Sequence, residues 1–236
     1  MLKNIRKTLL LSSSMTLLIV AQSSHADGLV TWLGGDFTDD ANYAYLGGVK
    51  ALNNDLSATG YLLRGSLGVG TYEYNNGVRG IDGDNYNADL SVGYQHFFSA
   101  DTRLTGYLGV SYQDYDLSPN DPSSDVDGSE VGAKIGLDFL TKVTDKVSFG
   151  ILGDYSTAYD TYWSRAHVGY DFGPVTVGPE IVGLGNESFD EQRYGLGFTG
   201  IKVTDSTGID LSLGYADSSR SSDDSGYANL VMHTMW

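Results

Sequence analysis

Apolar and polar side chains alternate along most of this chain, and this pattern constrains its fold more than any other feature. In residues 60–74, Leu63 and Leu67 fall on one face and Arg64 falls on the other. Successive side chains of a β-strand point to opposite faces, so a period of two predicts strands rather than helices. Twelve strands are predicted, at residues 29–37, 43–51, 60–74, 86–97, 102–116, 130–141, 146–156, 161–172, 175–185, 192–203, 209–217 and 226–236.

The connections between these strands alternate in length. Short turns follow strands two, four, six, eight and ten, whereas longer acidic or Gly/Ser-rich loops follow strands three, five, nine and eleven, among them residues 75–85 and 186–192. Outer-membrane barrels show this alternation, with the short turns facing the periplasm. We therefore predict an all-β protein, a transmembrane up-and-down antiparallel β-barrel of about twelve strands. The even strand number places both termini on the periplasmic side of the cell outer membrane.

The apolar face of each predicted strand has two properties of a surface that meets lipid. It carries almost no charge away from the strand ends, as expected if an Arg or Lys at the bilayer midplane costs about 2–4 kcal/mol. Aromatic residues cluster near the strand ends, as in the interfacial girdles of membrane barrels: Tyr61, Tyr86, Tyr94, Tyr112, Tyr155, Tyr162, Tyr170, Phe172, Tyr194 and Tyr215. The alternative fold is a soluble secreted β-sandwich that binds sugar, in which the apolar faces would pack on a second sheet.

The two ends of the chain carry separate signals. Residues 1–26 have the three parts of a secretory signal peptide: a basic start, an apolar run, and small residues before a cleavage site after Ala26. The barrel is therefore predicted to span residues 27–236. At the other end, the segment ANLVMHTMW finishes on Trp236 and resembles the aromatic C-terminal signal that the assembly machinery of outer-membrane barrels reads. The last strand is predicted to pair with the first and to hide both sheet edges.

Net charge limits the partners of this chain. The whole sequence has a formal charge of −16 at pH 7, and removal of the three basic residues of the signal peptide leaves −19. Such a surface repels nucleic acid, which binds to basic patches. The sequence therefore predicts no nucleic-acid partner, and the lipid bilayer of the outer membrane is the partner that follows from the barrel itself.

Charged side chains lie on the face opposite the apolar one, which in a barrel is the lumen. Arg165 and Glu180 fall on paired strands and are predicted to meet across the ladder. Two interpretations stay open: the charges form pairs that fill a narrow lumen, since buried charges must be paired, or they line a cleft where Trp163 stacks on a polysaccharide. The candidate glucan or lumen residues are Trp163, Arg165, Glu180, Arg64 and Arg193.

The sequence contains no hydrolase, nucleotide-binding or metal-binding motif, and we predict neither catalysis nor a cofactor. An outer-membrane lipid hydrolase would need a nucleophile beside a His, but the nearest pair, Ser164 and His167, falls on opposite faces of strand eight. A narrow porin is the other alternative function. Pro179 removes a hydrogen-bond donor from strand nine, and a bulge or bend is predicted there.

The segment from residue 162 to residue 200 resembles the BcsS family, which is associated with bacterial cellulose biosynthesis. The motifs that carry the resemblance are Tyr-Trp-Ser-Arg at 162–165, Gly-Pro-Glu at 178–180, Gly-Asn at 185–186 and Gln-Arg at 192–193. Weaker matches run in order from about residue 32 to the C-terminus. The resemblance implies an outer-membrane protein without known catalytic residues that supports secretion of cellulose or a related exopolysaccharide. Its implied partners are the glucan and other cellulose-export components.

Overall fold

A computed structural model describes residues 28–219 and 225–236, in which the chain forms a closed barrel of twelve antiparallel strands. Each strand pairs with the next along the chain, and the twelfth pairs with the first. The strands are β1 (Leu29–Phe37), β2 (Ala41–Ala51), β3 (Gly60–Asn75), β4 (Gly80–Ser99), β5 (Thr102–Ser118), β6 (Gly128–Thr144), β7 (Val147–Ser156), β8 (Tyr162–Asp171), β9 (Thr176–Asn186), β10 (Phe189–Lys202), β11 (Thr207–Ser218) and β12 (Ser225–Met235).

The predicted fold class is thus confirmed, and the soluble sandwich is wrong because the sheet closes on itself instead of facing a second sheet. No helix in the two described ranges combines the length and the hydropathy needed to cross a membrane. The predicted signal peptide, residues 1–26, lies outside the described residues and stays a prediction.

The seam between β1 and β12 closes the barrel. Its register runs from Val30 opposite Met235 to Phe37 opposite Ala228. Trp236 continues the seam beyond the last strand, since its backbone N–H donates to the Leu29 carbonyl oxygen at 2.9 Å and its indole Nε1 donates to Thr31 Oγ1 at 3.0 Å. The terminal aromatic residue is therefore fixed to the first strand at two points.

The two ends of the barrel differ in their connections. The start of β1 and the end of β12 lie at one end, here called the terminal end, together with the connections 52–59, 100–101, 145–146, 172–175 and 203–206. The opposite end, here called the loop end, carries the connections 38–40, 76–79, 119–127, 157–161 and 187–188 and the connection after Ser218. The prediction of alternating short and long connections is therefore only partly right, because 52–59 is long and several loop-end connections are short.

Two predicted long loops are mostly strand. Of residues 75–85, only 76–79 form a connection. The period of two continues beyond the aromatic residues near the loop end, with Ile81 facing inward and Asp82 facing water. Of residues 186–192, only 187–188 form a connection. The Ser188 N–H donates to the side-chain oxygen of Asn186 at 2.9 Å, and this local bond closes the chain into a tight turn.

Pro179 does not produce the predicted bulge. On the β8 side, pairing stops after His167 opposite Glu180 and resumes at Tyr170 opposite Val177 in the same register. On the β10 side the ladder is continuous, with Pro179 opposite Leu196. The missing N–H therefore interrupts one ladder over a short stretch without inserting a residue, and the inward position of Glu180 is kept.

The outer face of the barrel is an apolar band between two aromatic girdles. On β4, Tyr94 marks the girdle near the terminal end and Tyr86 marks the one near the loop end, with Leu90 and Val92 exposed between them. Eight residues at about 3.3 Å each span about 26 Å along the strand, or about 20 Å along the barrel axis at a tilt of about 40°, close to the apolar band of membrane barrels. The outward face thus matches hydrocarbon.

Depth in this band sets the cost of a charge. Leu90→Arg places a guanidinium near the middle of the band and is expected to lower the free energy of unfolding by about 2–4 kcal/mol. Val69→Arg is the matched control, since Val69 is in register with the girdle residue Tyr86, and its expected cost is about 0–1 kcal/mol. Denaturant unfolding in phospholipid vesicles measures both. Equal costs would contradict the assignment of this face to lipid.

Candidate functional site

The inward-facing charges form ion pairs that reach between distant strands. Arg193 on β10 donates from Nη1 to Asp36 on β1 at 2.7 Å and from Nε to Glu191 at 2.6 Å. Only 6% of the Arg193 side chain is exposed. A buried guanidinium is stable only when it is paired and hydrogen-bonded. These two carboxylates hold it in place, and Asp36 ties β10 to β1 past the two strands between them.

A second pair lies beside the first and is joined to it by a tyrosine. Arg165 Nη2 lies 2.5 Å from Glu180 Oε2, so the predicted contact between these residues is confirmed. Glu180 is 3% exposed and also accepts a hydrogen bond of 2.7 Å from the hydroxyl of Tyr227. The guanidinium of Arg193 lies 5.2 Å from the centre of the Tyr227 ring. Three of the predicted site residues, Arg165, Glu180 and Arg193, therefore belong to one connected cluster.

Arg64 belongs to a second cluster of inward-facing side chains. It forms an ion pair and hydrogen bond with Asp154, and its guanidinium lies 4.1 Å from the centre of the Tyr107 ring. Arg64 is on β3 and Asp154 is on β7, so the pair bridges the three strands that lie between them. Gly136 leaves room for it, because a β-carbon there would overlap the Asp154 carboxylate.

Trp163 faces the lumen next to this second cluster. It is in register with Asp154 on β7 and with Leu184 on β9. Its side chain is 39% exposed, more than any of the four charged candidates. Among the five candidates, Trp163 therefore has the most surface available for an incoming ligand.

Three partner residues in these clusters were not predicted. Asp36, Tyr107 and Tyr227 each complete a contact to an arginine, but each is far from that arginine in sequence; Arg193 and Asp36 are 157 positions apart. Alternation alone places Tyr227 on the inward face of the last strand. That signal identifies the face but gives no height in the barrel, so it could not identify the partner.

A small cavity lies beside Arg165 and is lined also by His167, Gly178 and Gly197, with a volume of about 10 Å³. Among the described residues, neither Arg165 Nε nor His167 Nδ1 has a hydrogen-bond partner, and both atoms are buried. A volume of this size fits about one water molecule. The niche is therefore too small for a sugar ring.

Three connections pack together at the loop end and form a cap. They are the loop 119–127, the 3₁₀ turn Ala158–Asp160 and the turn 187–188. The hydroxyl of Tyr159 donates to the Asp127 carbonyl oxygen at 3.0 Å, and the Glu187 N–H donates to the Tyr159 carbonyl oxygen at 3.0 Å. Tyr159 has a positive φ of 51°, a strained conformation for a bulky residue. Its buried contacts with Tyr115 and Val126 hold it there.

Asp121 fixes the loop of the cap. Its carboxylate accepts hydrogen bonds from the Ser123 hydroxyl at 2.7 Å, the Tyr74 hydroxyl at 2.8 Å and the Asn76 amide at 3.1 Å. These bonds, that of Ser123 first, hold the pKa of Asp121 well below its usual range. A lowered pKa stabilises the cap at neutral pH, and this contribution is lost only as the pH falls below about 3.9, the ordinary value for Asp.

The side chains that a lipid hydrolase would need are separated. Ser164 faces outward and donates its hydroxyl to the Gly183 carbonyl oxygen at 3.2 Å, whereas His167 lines the inner cavity. Within residues 28–219 and 225–236, no group of three or more His, Asp or Glu side chains has a geometry that could hold a metal ion. The clusters on this wall are built to pair charges.

A protein family and several solved structures resemble this chain. The family model described as cellulose biosynthesis protein BcsS matches residues 30–234. No curated protein sequence matches the chain. Similar solved structures are the transport unit of the autotransporter AIDA-I from Escherichia coli, with 8% identity, 94% of each chain covered and a TM-score of 0.53, and the translocator domain of the autotransporter NalP from Neisseria meningitidis, with 12% identity, coverage of 92% and 90% and a TM-score of 0.52. These likenesses show the fold of outer-membrane barrels.

Loss of a buried arginine should cost more stability than loss of a partly exposed one. Arg193→Ala leaves two carboxylates without their buried cation and is expected to lower the free energy of unfolding by about 3–5 kcal/mol. Arg103→Ala is the matched control, because Arg103 is 33% exposed and lies 3.4 Å from Asp138, and its expected cost is below about 1 kcal/mol. Denaturant unfolding in vesicles compares them. A cost for Arg193→Ala no larger than that of the control would show that the pair of Arg193 with Asp36 does not hold the wall.

Proposed function

Because this chain belongs to the BcsS family of cellulose biosynthesis proteins, we propose that it is a non-enzymatic accessory protein of the outer membrane in the biosynthesis and secretion of cellulose or a related exopolysaccharide. The observation that carries this proposal is the extent of the family match. It covers residues 30–234, from β1 to β12. The match therefore covers the barrel itself, which supports a role of the barrel in cellulose biosynthesis.

The interior supports an accessory role rather than that of a wide sugar channel. A barrel of twelve strands has a lumen much narrower than that of a porin. Here the pair of Arg193 with Asp36 and the pair of Arg64 with Asp154 occupy part of that space, and the cap packs over the loop end. Contact between a glucan and the wall or the mouth of the lumen fits this geometry.

The predicted site residues then take two roles. Arg64, Arg165, Glu180 and Arg193 position the wall through paired charges. Trp163 contacts glucan, since its half-exposed ring can stack on the apolar face of a sugar. The separation of Ser164 from His167 supports a role without catalysis. The partners of the protein are the bilayer, the glucan and other components of the export machinery.

Loss of the gene in a cellulose-producing strain is expected to lower surface cellulose, measured by dye binding and by cellulase-released glucose. The wild-type gene restores it. Trp163→Ala is expected to restore less cellulose than Ser164→Ala, its outward-facing neighbour on the same strand, at equal amounts of protein in the membrane fraction. Unchanged cellulose in the deletion strain would remove the proposed function and leave the barrel intact.

The terminal end is proposed to face the periplasm and the loop end to face the cell exterior. Support comes from the position of the start of β1 and the end of β12 at the terminal end. The chain contains no cysteine, so single cysteines report their side without background. A membrane-impermeant maleimide added to intact cells is expected to label Asp125→Cys in the cap and not Asp145→Cys, which lies between β6 and β7. The opposite pattern would reverse the orientation.

A further inference from the structure

Four aromatic side chains on three neighbouring strands lie against the inner wall of the barrel. They are Trp32 on β1, Tyr43 and Tyr45 on β2 and Tyr72 on β3, here called the aromatic track. Each ring covers a glycine of an adjacent strand: Gly47 under Trp32, Gly34 under Tyr45, Gly68 and Gly70 under Tyr43, and Gly83 under Tyr72. A β-carbon on Gly47, for example, would lie 2.5 Å from Cζ2 of Trp32. One side of each ring thus rests on backbone of the inner wall.

The four rings follow one another along the barrel. Tyr43 and Tyr45 have ring centres 5.8 Å apart and planes inclined by 28°. Trp32 is level with Ser66 across β2, and from Ser66 to Tyr72 is about 20 Å at about 3.3 Å per residue. The track therefore runs from Trp32, nearer the terminal end, to Tyr72, which packs beneath the cap.

Two other inward-facing tyrosines show the difference between the track and rings that only fill space. The face of Tyr107 is covered by Arg64 and that of Tyr227 by Arg193, and both tyrosines are buried. The four rings of the track are half-buried. Part of each ring in the track is therefore accessible from the lumen.

Amide and carboxylate groups border the track. The Tyr43 hydroxyl donates to the side-chain oxygen of Asn87 at 2.6 Å. The Asn229 side-chain nitrogen lies 3.1 Å from the Tyr45 hydroxyl and 3.0 Å from an oxygen of Asp36. A ligand resting on the rings would find hydrogen-bonding groups along its edges and apolar surface beneath it.

A β-linked glucan chain has this distribution of polarity, because its C–H groups form the flat faces and its hydroxyls form the edges. Aromatic rings contact such apolar faces, while side-chain amides bond hydroxyls. We propose that the aromatic track binds a segment of β-linked glucan along the inner wall of β1, β2 and β3. The choice of glucan rests on the proposed function above, whereas the track itself follows from the geometry.

The experiment uses the full-length protein in detergent micelles and follows tryptophan emission. The sequence contains three tryptophans, so the double variant Trp163→Phe, Trp236→Phe leaves Trp32 as the sole emitter and keeps an aromatic ring at both other positions. Titration with cellohexaose is expected to change the Trp32 emission until saturation, and titration with maltohexaose, an α-linked chain of the same length, is expected to have a much smaller effect.

Variants of Tyr43 separate ring contact from hydrogen bonding. In the same background, Tyr43→Leu is expected to weaken cellohexaose binding by about tenfold, the loss of one aromatic contact. Tyr43→Phe keeps the ring, loses the bond to Asn87 and is expected to bind nearly as tightly as the parent. Tyr61→Leu, in the outer girdle and 60% exposed, is the control. Heat-dependent mobility on denaturing gels checks that each variant has formed its barrel.

Absence of a saturable Trp32 response to cellohexaose would overturn the proposal, as would equal responses to the two sugars or an unchanged affinity in folded Tyr43→Leu. If Tyr43→Leu does not fold, the proposal is tested by the response of Trp32 to the two sugars in the protein that keeps Tyr43. A strain that loses cellulose on deletion while the purified protein fails to bind cellohexaose would retain the proposed function and reject the track.

Discussion

Inside a bilayer the backbone has no water to bond with, so every N–H and C=O must find its partner within the protein. This chain meets that requirement by pairing β1 with β12, which leaves the sheet without an edge. Once the sheet is closed, each strand has one face toward hydrocarbon and one toward the lumen. Because successive side chains of a strand point to opposite faces, the alternating sequence places Leu90 outward and Asp89 inward. The two aromatic girdles follow from the same geometry.

Closure also brings together charges that are remote in sequence. Five basic residues of the described wall each have a carboxylate within ion-pair distance: Arg64, Arg103, Lys134, Arg165 and Arg193. Two of these pairs reach across several strands and limit the free width of the interior. The aromatic track is different. Its glycines have no side chains, so the aromatic rings lie against the backbone of the wall. The lumen therefore has a rigid, charged side and a smoother, aromatic side.

Much of the fold could be predicted from the sequence, because a period of two is a local property that each strand displays by itself. The contact of Arg165 with Glu180 was predictable for a related reason, since neighbouring strands in an up-and-down barrel must pair. The pair of Arg193 with Asp36 was not, because its geometry depends on the stagger of three ladders. Residues 75–85 and 186–192 were misread because acidic and glycine-rich composition resembles a loop, although the alternation persists through Ile81 and an Asn186 turn closes the second segment. The alternation also does not give the position of Tyr227 along the barrel axis relative to Glu180, so their hydrogen bond could not be predicted.

The bond from the Trp236 indole to Thr31 joins positions 205 apart in the chain. Hairpins between consecutive strands need only short stretches of polypeptide, but this contact joins the first strand to the end of the last one, and its loop-closure entropy is correspondingly large. The contact between Trp236 and Thr31 thus seals the cylinder. Closure has to wait until both β1 and β12 are present, and until then the unpaired strands have to remain dispersed in water, a condition that the strong negative charge of the chain favours.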